Sequence, residues 1–291
     1  MSASASWRRS DRRRQLARLL TDELGGQVAS PREARWIVED ALSSSEDEAA
    51  VTAFARQAAG RRQRGEPLQH VLGHWSFRHL DVLVDERALV PRPESEVLVE
   101  AALGELARLA RRRPLSAVAD LGTGSGVIAL SLAVEVPDPG VPVLYATDAS
   151  GPALSLASEN ARRVLGTSRR DRLQLLLGSW YAALPTEAAG GLDLVVSNPP
   201  YLSRDEWAEL EPVVKDFDPY DALVAGPSGT ECLQAVVAGA PHWLAPDGSL
   251  VVEIAPHQAQ AASELARAAG FRTAEVRDDL AGRLRVLVAA R

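Results

Sequence analysis

Residues 118–130 read VADLGTGSGVIAL, an apolar strand, a loop with glycines at 122, 124 and 126, and a helix. Few stretches constrain a fold as tightly. Glycines at alternate positions let the chain turn sharply and bring bare backbone close to whatever lies above the loop. A buried strand feeding a helix through such a turn belongs to α/β architectures. The chain from residue 91 onward repeats the alternation. Candidate strands are 117–121, 143–147, 172–176, 192–197, 249–254, 272–277 and 284–289. Most are short apolar runs, as expected of strands covered on both faces. The expectation is a doubly wound α/β sheet whose last two strands pair antiparallel.

Ahead of residue 91 the pattern differs. Leu16, Leu19, Leu20 and Leu24 recur at helical spacing until Gly25-Gly26. Ser30-Pro31 offers a cap and a first-turn proline to a second helix striped by Ala34, Ile37, Val38 and Leu42. A third helix is predicted over about residues 46–62. Gly65-Glu66-Pro67 breaks the run, and the aromatic and β-branched stretch that follows predicts a hairpin or small sheet. The domains expected are a helical bundle at 1–65, a β-hairpin connector at 66–90, and an α/β domain at 91–291; 291 residues allow such a division. Arg111–Arg113 and residues 137–140 read as surface turns.

Composition excludes several classes. The single cysteine, Cys232, forms no internal disulfide and reads as core. No charge-free run reaches 18 residues, so no membrane helix is expected. The basic N-terminus is not followed by an apolar stretch, so it is no secretory signal, and the default address is the cytoplasm. Residues 1–65 carry 12 Arg against 9 acidic residues, while the whole chain is at -7. The basic piece reads as a solvated helical face or as a contact for an acidic protein or nucleic acid. The acidic total does not suit a duplex-DNA binder.

The loop spacing selects the ligand class. The dinucleotide fingerprint requires glycine at 127, where this chain has Val127. That favours a nucleoside ligand without a pyrophosphate, S-adenosylmethionine first. Gly122, Thr123, Gly124, Ser125 and Gly126 would cradle it. Asp148 ends the second strand 22 residues after Gly126, near the spacing of a ribose-binding acid, and otherwise reads as a helix cap. Asp120 would orient the loop or, through water, an amino group. Trp180, after the third strand, offers a ring to an adenine face.

The fourth strand ends in Asn198-Pro199-Pro200-Tyr201. Two prolines fix an extended backbone and withhold two amide donors. The groups left at the strand tip are acceptors, the Asn198 side-chain carbonyl and backbone carbonyls, beside an aromatic wall from Tyr201. A planar NH₂ group brings two donors to such a site.

Together these motifs resemble class I S-adenosylmethionine-dependent methyltransferases, and more narrowly the HemK/PrmC-type protein-(glutamine-N5) methyltransferases. The resemblance covers roughly residues 66–291. It rests on EPLQHVLG (66–73), VPRPESE (90–96), DLGTGSG (120–126), Asp148, NPPY (198–201), DPYDALVA (218–225) and RDDLAGRLR (277–285). It implies a Rossmann-like seven-stranded mixed sheet with its last strand antiparallel, and a small N-terminal helical domain that helps hold a protein substrate. It implies that S-adenosylmethionine, released as S-adenosylhomocysteine, contacts residues 122–126, Asp148, Trp180 and Asn198. The substrate implied is the glutamine of the Gly-Gly-Gln motif of peptide chain release factors, held by Asn198, Pro199, Pro200 and Tyr201 for translation termination. Arg92, Pro93, Glu94 and Glu96 belong to a motif flanking the cofactor. Ser179 stands where the family often has Asp, so a carboxylate acceptor for the adenine amino group is missing. Ser95 stands where Thr or Asp is usual.

Three other readings compete. An adenine N6 methyltransferase would use the same acceptor pair on a base taken out of its stack, but the charge and residues 66–96 argue against it. A glutamine of a ribosomal protein would suit the same motifs. A non-catalytic binding protein would not need NPPY. His70, His74 and His79 fall in the predicted hairpin without a matching metal-ligand pattern, so no metal is expected. A monomer without membrane or stable nucleic-acid contact is the default.

Overall fold

The structure, a computed structural model, describes residues 3–137, 140 and 142–291. Asp138 and Pro139, in the turn predicted at 137–140, lie outside the described residues. The chain divides into two compact units, Met1–His74 and Trp75–Arg291.

The first unit holds helices α1 (Ala3–Leu24), α2 (Pro31–Ser44), α3 (Glu48–Gln63) and α4 (Leu68–Leu72). Ser30 Oγ accepts the Glu33 amide at 3.3 Å and Pro31 opens α2, as the sequence predicts. Asp47 caps α3 by accepting the Ala49 amide at 3.0 Å. Leu20, Leu24, Ile37, Val38, Val51 and Ala55 are buried. Arg62 ties α3 to Glu33 of α2 at 3.0 Å. The predicted hairpin begins later than expected, because residues 68–72 coil into α4 between Pro67 and a left-handed Gly73 (φ +76°). His70 is therefore on a buried helix, while His74 Nε2 lies 2.7 Å from Asp40 Oδ1.

A hairpin follows, β1 (His74–Phe77) and β2 (Leu80–Leu83), and then α5 (Ser95–Ala110). Next come β3 (Ala117–Leu121), α6 (Val127–Glu135), β4 (Val143–Asp148), α7 (Gly151–Val164), α8 (Thr167–Arg170), β5 (Leu173–Leu177) and β6 (Leu192–Ser197). A short excursion carries β7 (Leu202–Ser203), α9 (Arg204–Glu209), α10 (Pro212–Phe217), α11 (Tyr220–Leu223) and β8 (Val224–Gly226). The chain ends with α12 (Glu231–Trp243), β9 (Leu244–Glu253), α13 (Ala259–Ala268), β10 (Thr273–Asp278) and β11 (Leu284–Ala290).

Seven strands form one sheet in the order β10-β11-β9-β6-β3-β4-β5. β11 runs antiparallel to both neighbours, and the other pairings are parallel. This is the class I methyltransferase arrangement. Alternate residues feed two cores. Val118, Val196, Val251 and Val286 pack with Leu98, Leu106 and Leu130 on one face. Leu121, Val195, Val252 and Leu287 pack with Leu233, Val237 and Phe271 on the other. Covering both faces explains the continuous apolar runs. The connections diverge from β3, to β4 and β5 on one side and β6 and β9 on the other. That switch leaves a crevice at the strands' carboxyl ends.

One further expectation changes. β9 begins five residues earlier than predicted, and Pro246-Asp247-Gly248 lie inside the strand, where its pairing with β6 shifts register. Arg111–Arg113 form the predicted turn, from which Arg113 reaches Asp247 and Asp193, the latter a fully buried residue of β6 that also accepts the Ser116 and Ala117 amides. This clamp fixes the start of β3 against β6.

Candidate active site

The glycine loop joins β3 to α6 with Gly122, Gly124 and Gly126 at φ +72°, +56° and +87°. Side chains disfavour that region, which is why glycine recurs here. The Gly122 and Thr123 amides both donate to the Thr147 carbonyl at 2.9 Å, tying the loop to the end of β4. Asp148 completes the tie. One carboxylate oxygen accepts the Gly124 amide and the other the Ser150 amide, each at 2.8 Å. Asp148 is thus held by the loop it was predicted to work beside.

Asp120 lies beneath the loop and is buried. Its Oδ2 accepts from Thr123 Oγ1 at 2.6 Å and from the Ala129 amide at 3.2 Å. Its Oδ1 is buried with no hydrogen-bond partner among the described residues. Burial, with a smaller push from Asp148, raises its carboxyl to about 7.

Trp180 opens a short 3₁₀ turn after β5 and adopts φ +46°. A bulky residue in that region is strained, and such strain persists where surrounding packing enforces it. Its ring edge sits 3.4 Å from the position a Cβ on Gly122 would take. The ring thus lies over the start of the loop.

Asn198 follows β6. Its Nδ2 donates to Ser95 Oγ at 3.1 Å, and Ser95 Oγ donates to Glu253 Oε2 at 2.7 Å. Burial pushes the Glu253 carboxyl up to about 7, against the lowering effect of Ser95 and Arg285. The Tyr201 carbonyl accepts from Gln258 Nε2 at 3.3 Å, and burial raises the Tyr201 phenol.

A cavity of about 510 Å³ opens at the ends of β3, β4 and β6. It brings together Gly122, Thr123, Gly124, Ser125, Asp148, Trp180, Asn198 and Pro200 of the predicted set. Gly126, Pro199 and Tyr201 do not line it. Gly126 serves packing instead, against Ala157 of α7. Ser179 lines the cavity beside Trp180. Sequence reasoning missed residues 87–90 and assigned no role to Glu253. Cys232, read as core, is half-buried and lines the cavity.

The family description "Methyltransferase small domain" matches residues 101–215. The chain is 41% identical over 243 residues to the release factor glutamine methyltransferase of Cereibacter sphaeroides, covering 83% of this chain and 80% of that one. It is 40% identical over 274 residues to the release factor glutamine methyltransferase of Bordetella pertussis, covering 91% and 96%. The chain belongs to the release factor glutamine methyltransferase family. Among solved structures, a methyltransferase from Pyrococcus furiosus aligns with a TM-score of 0.49 at 15% identity, over 74% of this chain and 90% of that one. The glycine loop, Asp148 and Asn198, the features the sequence displays most plainly, share one cavity.

Proposed function

We propose that this chain transfers a methyl group from S-adenosylmethionine to the side-chain amide nitrogen of the glutamine in the Gly-Gly-Gln motif of peptide chain release factors, in the cytoplasm. One observation carries the reading: the glycine loop with Asp148 and the Asn198-Pro200 turn open into the same cavity.

The residues present fit S-adenosylmethionine. The cavity volume lies in the range of small-ligand sites. Glycine backbone at positive φ admits close approach, Asp148 offers acceptors to ribose hydroxyls, and Trp180 offers a ring face. Asp120 Oδ1 is a buried acceptor in need of a donor. Ser179 offers a hydroxyl where a carboxylate is the commoner family choice. When bound, S-adenosylmethionine supplies an electrophilic sulfonium methyl.

Asn198 and its turn act on the other reactant. Asn198 Oδ1, at the cavity, and the Pro199 carbonyl, which lies outside the cavity lining, accept hydrogen bonds from the two N–H groups of the glutamine amide and orient its nitrogen. As that nitrogen gains a bond its N–H groups become more acidic, so both acceptors bind more tightly in the transition state than in the ground state. The nitrogen then loses its extra proton to water, and no tuned general base is required. Pro199 and Pro200, directly after Asn198, bring no amide donor to compete there. The helical unit at the N-terminus would help hold the release factor.

The test is tryptic mass spectrometry of purified release factors incubated with this protein and S-adenosylmethionine, wild type against Asn198→Ala. One added methyl on the Gly-Gly-Gln peptide, lost in the variant, is the expected result. Methyl found only on a ribosomal protein or on nucleic acid would overturn the substrate.

A further inference from the structure

Asn198 carries both a donor and an acceptor on one planar amide. The two ends are nearly the same size, so shape alone does not decide which one faces the cavity. The decision matters, because a glutamine NH₂ needs an acceptor there. The bonds behind Asn198 make it.

We propose that Glu253 and Ser95 are positioning residues that set the Asn198 amide with its carbonyl toward the substrate. The proposal rests on the function given above. Glu253 is 2% exposed and sealed in the interior, and Ser95, 3% exposed, stands between it and the cavity that it lines. An ionised carboxylate accepts and never donates. Ser95 therefore spends its one proton on Glu253 Oε2, at 2.7 Å. Only lone pairs then remain on Ser95 Oγ, and they are met by the NH₂ end of Asn198, at 3.1 Å. Asn198 Oδ1 is left for the cavity. The polarity runs from one buried charge through two hydrogen bonds to the acceptor, linking residues 158 apart in β9 and α5 to the tip of β6.

The direction of this relay depends on the charge of Glu253. A protonated Glu253 donates to Ser95, freeing the Ser95 proton for Asn198 Oδ1, and the amide can then turn its NH₂ to the substrate. Glu94 ahead of α5 and Arg285 on β11 face Glu253, and Tyr201 after β6 is within its field. Arg285 favours the charged form and Glu94 opposes it. Asp279 lies 3.8 Å from Arg285 and weakens that support.

The experiment compares wild type with Ser95→Ala, Ser95→Thr and Glu253→Gln, using a release factor and S-adenosylmethionine. Ser95→Ala is expected to lower kcat about 10–100-fold, the loss of one transition-state acceptor, with KM for the release factor changed less than about threefold. Ser95→Thr keeps the hydroxyl and is expected to restore kcat to within about threefold. Wild-type kcat is expected to fall as pH drops through the neutral range, and Glu253→Gln to lose that acid limb. A second readout needs no turnover: the side-chain NH₂ resonances of Asn198, identified by their loss in Asn198→Ala. They should titrate with pH in wild type, stay fixed in Glu253→Gln and shift in Ser95→Ala. A wild-type kcat in Ser95→Ala together with unmoved Asn198 resonances would overturn the relay. If wild type methylates no release factor, the proposed function fails, and the Asn198 titration still decides the relay. If Ser95→Ala does not fold, Glu253→Gln decides it: an acid limb and an Asn198 titration that persist in that variant overturn the proposal.

Discussion

Gly126 and Ala157 are packed so closely that a Cβ on the glycine would lie 3.1 Å from the alanine Cβ. A methyl group there requires α7 to yield, and Gly126 also holds φ +87°. Gly126→Ala therefore meets two penalties, steric and conformational. It is expected to cost about 1–3 kcal/mol of stability and to weaken S-adenosylmethionine binding by displacing the loop. Thermal melts with and without the ligand check both. A variant as stable as wild type would mean that α7 moves away freely.

Asp148 is expected to affect binding more than folding. Asparagine in its place keeps one acceptor for a backbone amide but loses the second acceptor and the charge. Asp148→Asn should raise the Kd for S-adenosylmethionine about 10–100-fold, the worth of a charged hydrogen bond. Titration calorimetry reads this directly, with the melting temperature as the control for folding.

Asp120 has a carboxyl raised by burial to about 7 in the folded protein, from 3.8. Between those values the folded state binds the proton and the unfolded state does not. Asp120 therefore makes stability fall as pH rises through that window, with its full cost present above about pH 7. Asp120→Asn does not titrate. Its stability relative to wild type should rise by roughly 1–3 kcal/mol between pH 5 and pH 8. Urea unfolding of the ligand-free proteins at both pH values measures it, and a difference that does not change with pH would show that Asp120 is ionised throughout.

Asp193 is a test of the fold alone. Its removal leaves two backbone amides at the head of β3 without their acceptor and leaves Arg113 with Asp247 as its remaining carboxylate partner. Asp193→Ala should cost roughly 3 kcal/mol in urea unfolding. Ligand affinity at low temperature should be unaltered, since Asp193 does not line the cavity.

Positive φ made the glycine loop readable, because few other residues tolerate it. The sheet was readable because strands buried on both faces leave unbroken apolar runs. Helix α4 was not, since five residues between Pro67 and Gly73 give too few positions for a period to show. The early part of β9 was hidden by Pro246-Asp247-Gly248. There, a Cβ on Gly248 would come 2.8 Å from the Leu192 carbonyl, so glycine marks close strand approach and not a turn. β7 and β8, of two and three residues, carry no pattern at all. Glu253 ends an apolar strand and looks like its solvent-facing terminus. Only the packing of α5 against β9 reveals that Ser95 meets it in the interior.

The cavity draws its walls from segments spread between Arg87 and Cys232, each reached by a separate passage of the chain through the second unit. The glycine loop, the end of β4, Trp180 and Asn198 come from different strand ends of the sheet. Occupancy is therefore coupled to the assembly of the whole sheet, and a bound nucleoside would oppose unfolding everywhere at once. Slower hydrogen exchange under ligand should accordingly reach strands such as β9 and β11, well away from the loop itself, and proteolytic resistance should rise along the entire unit together.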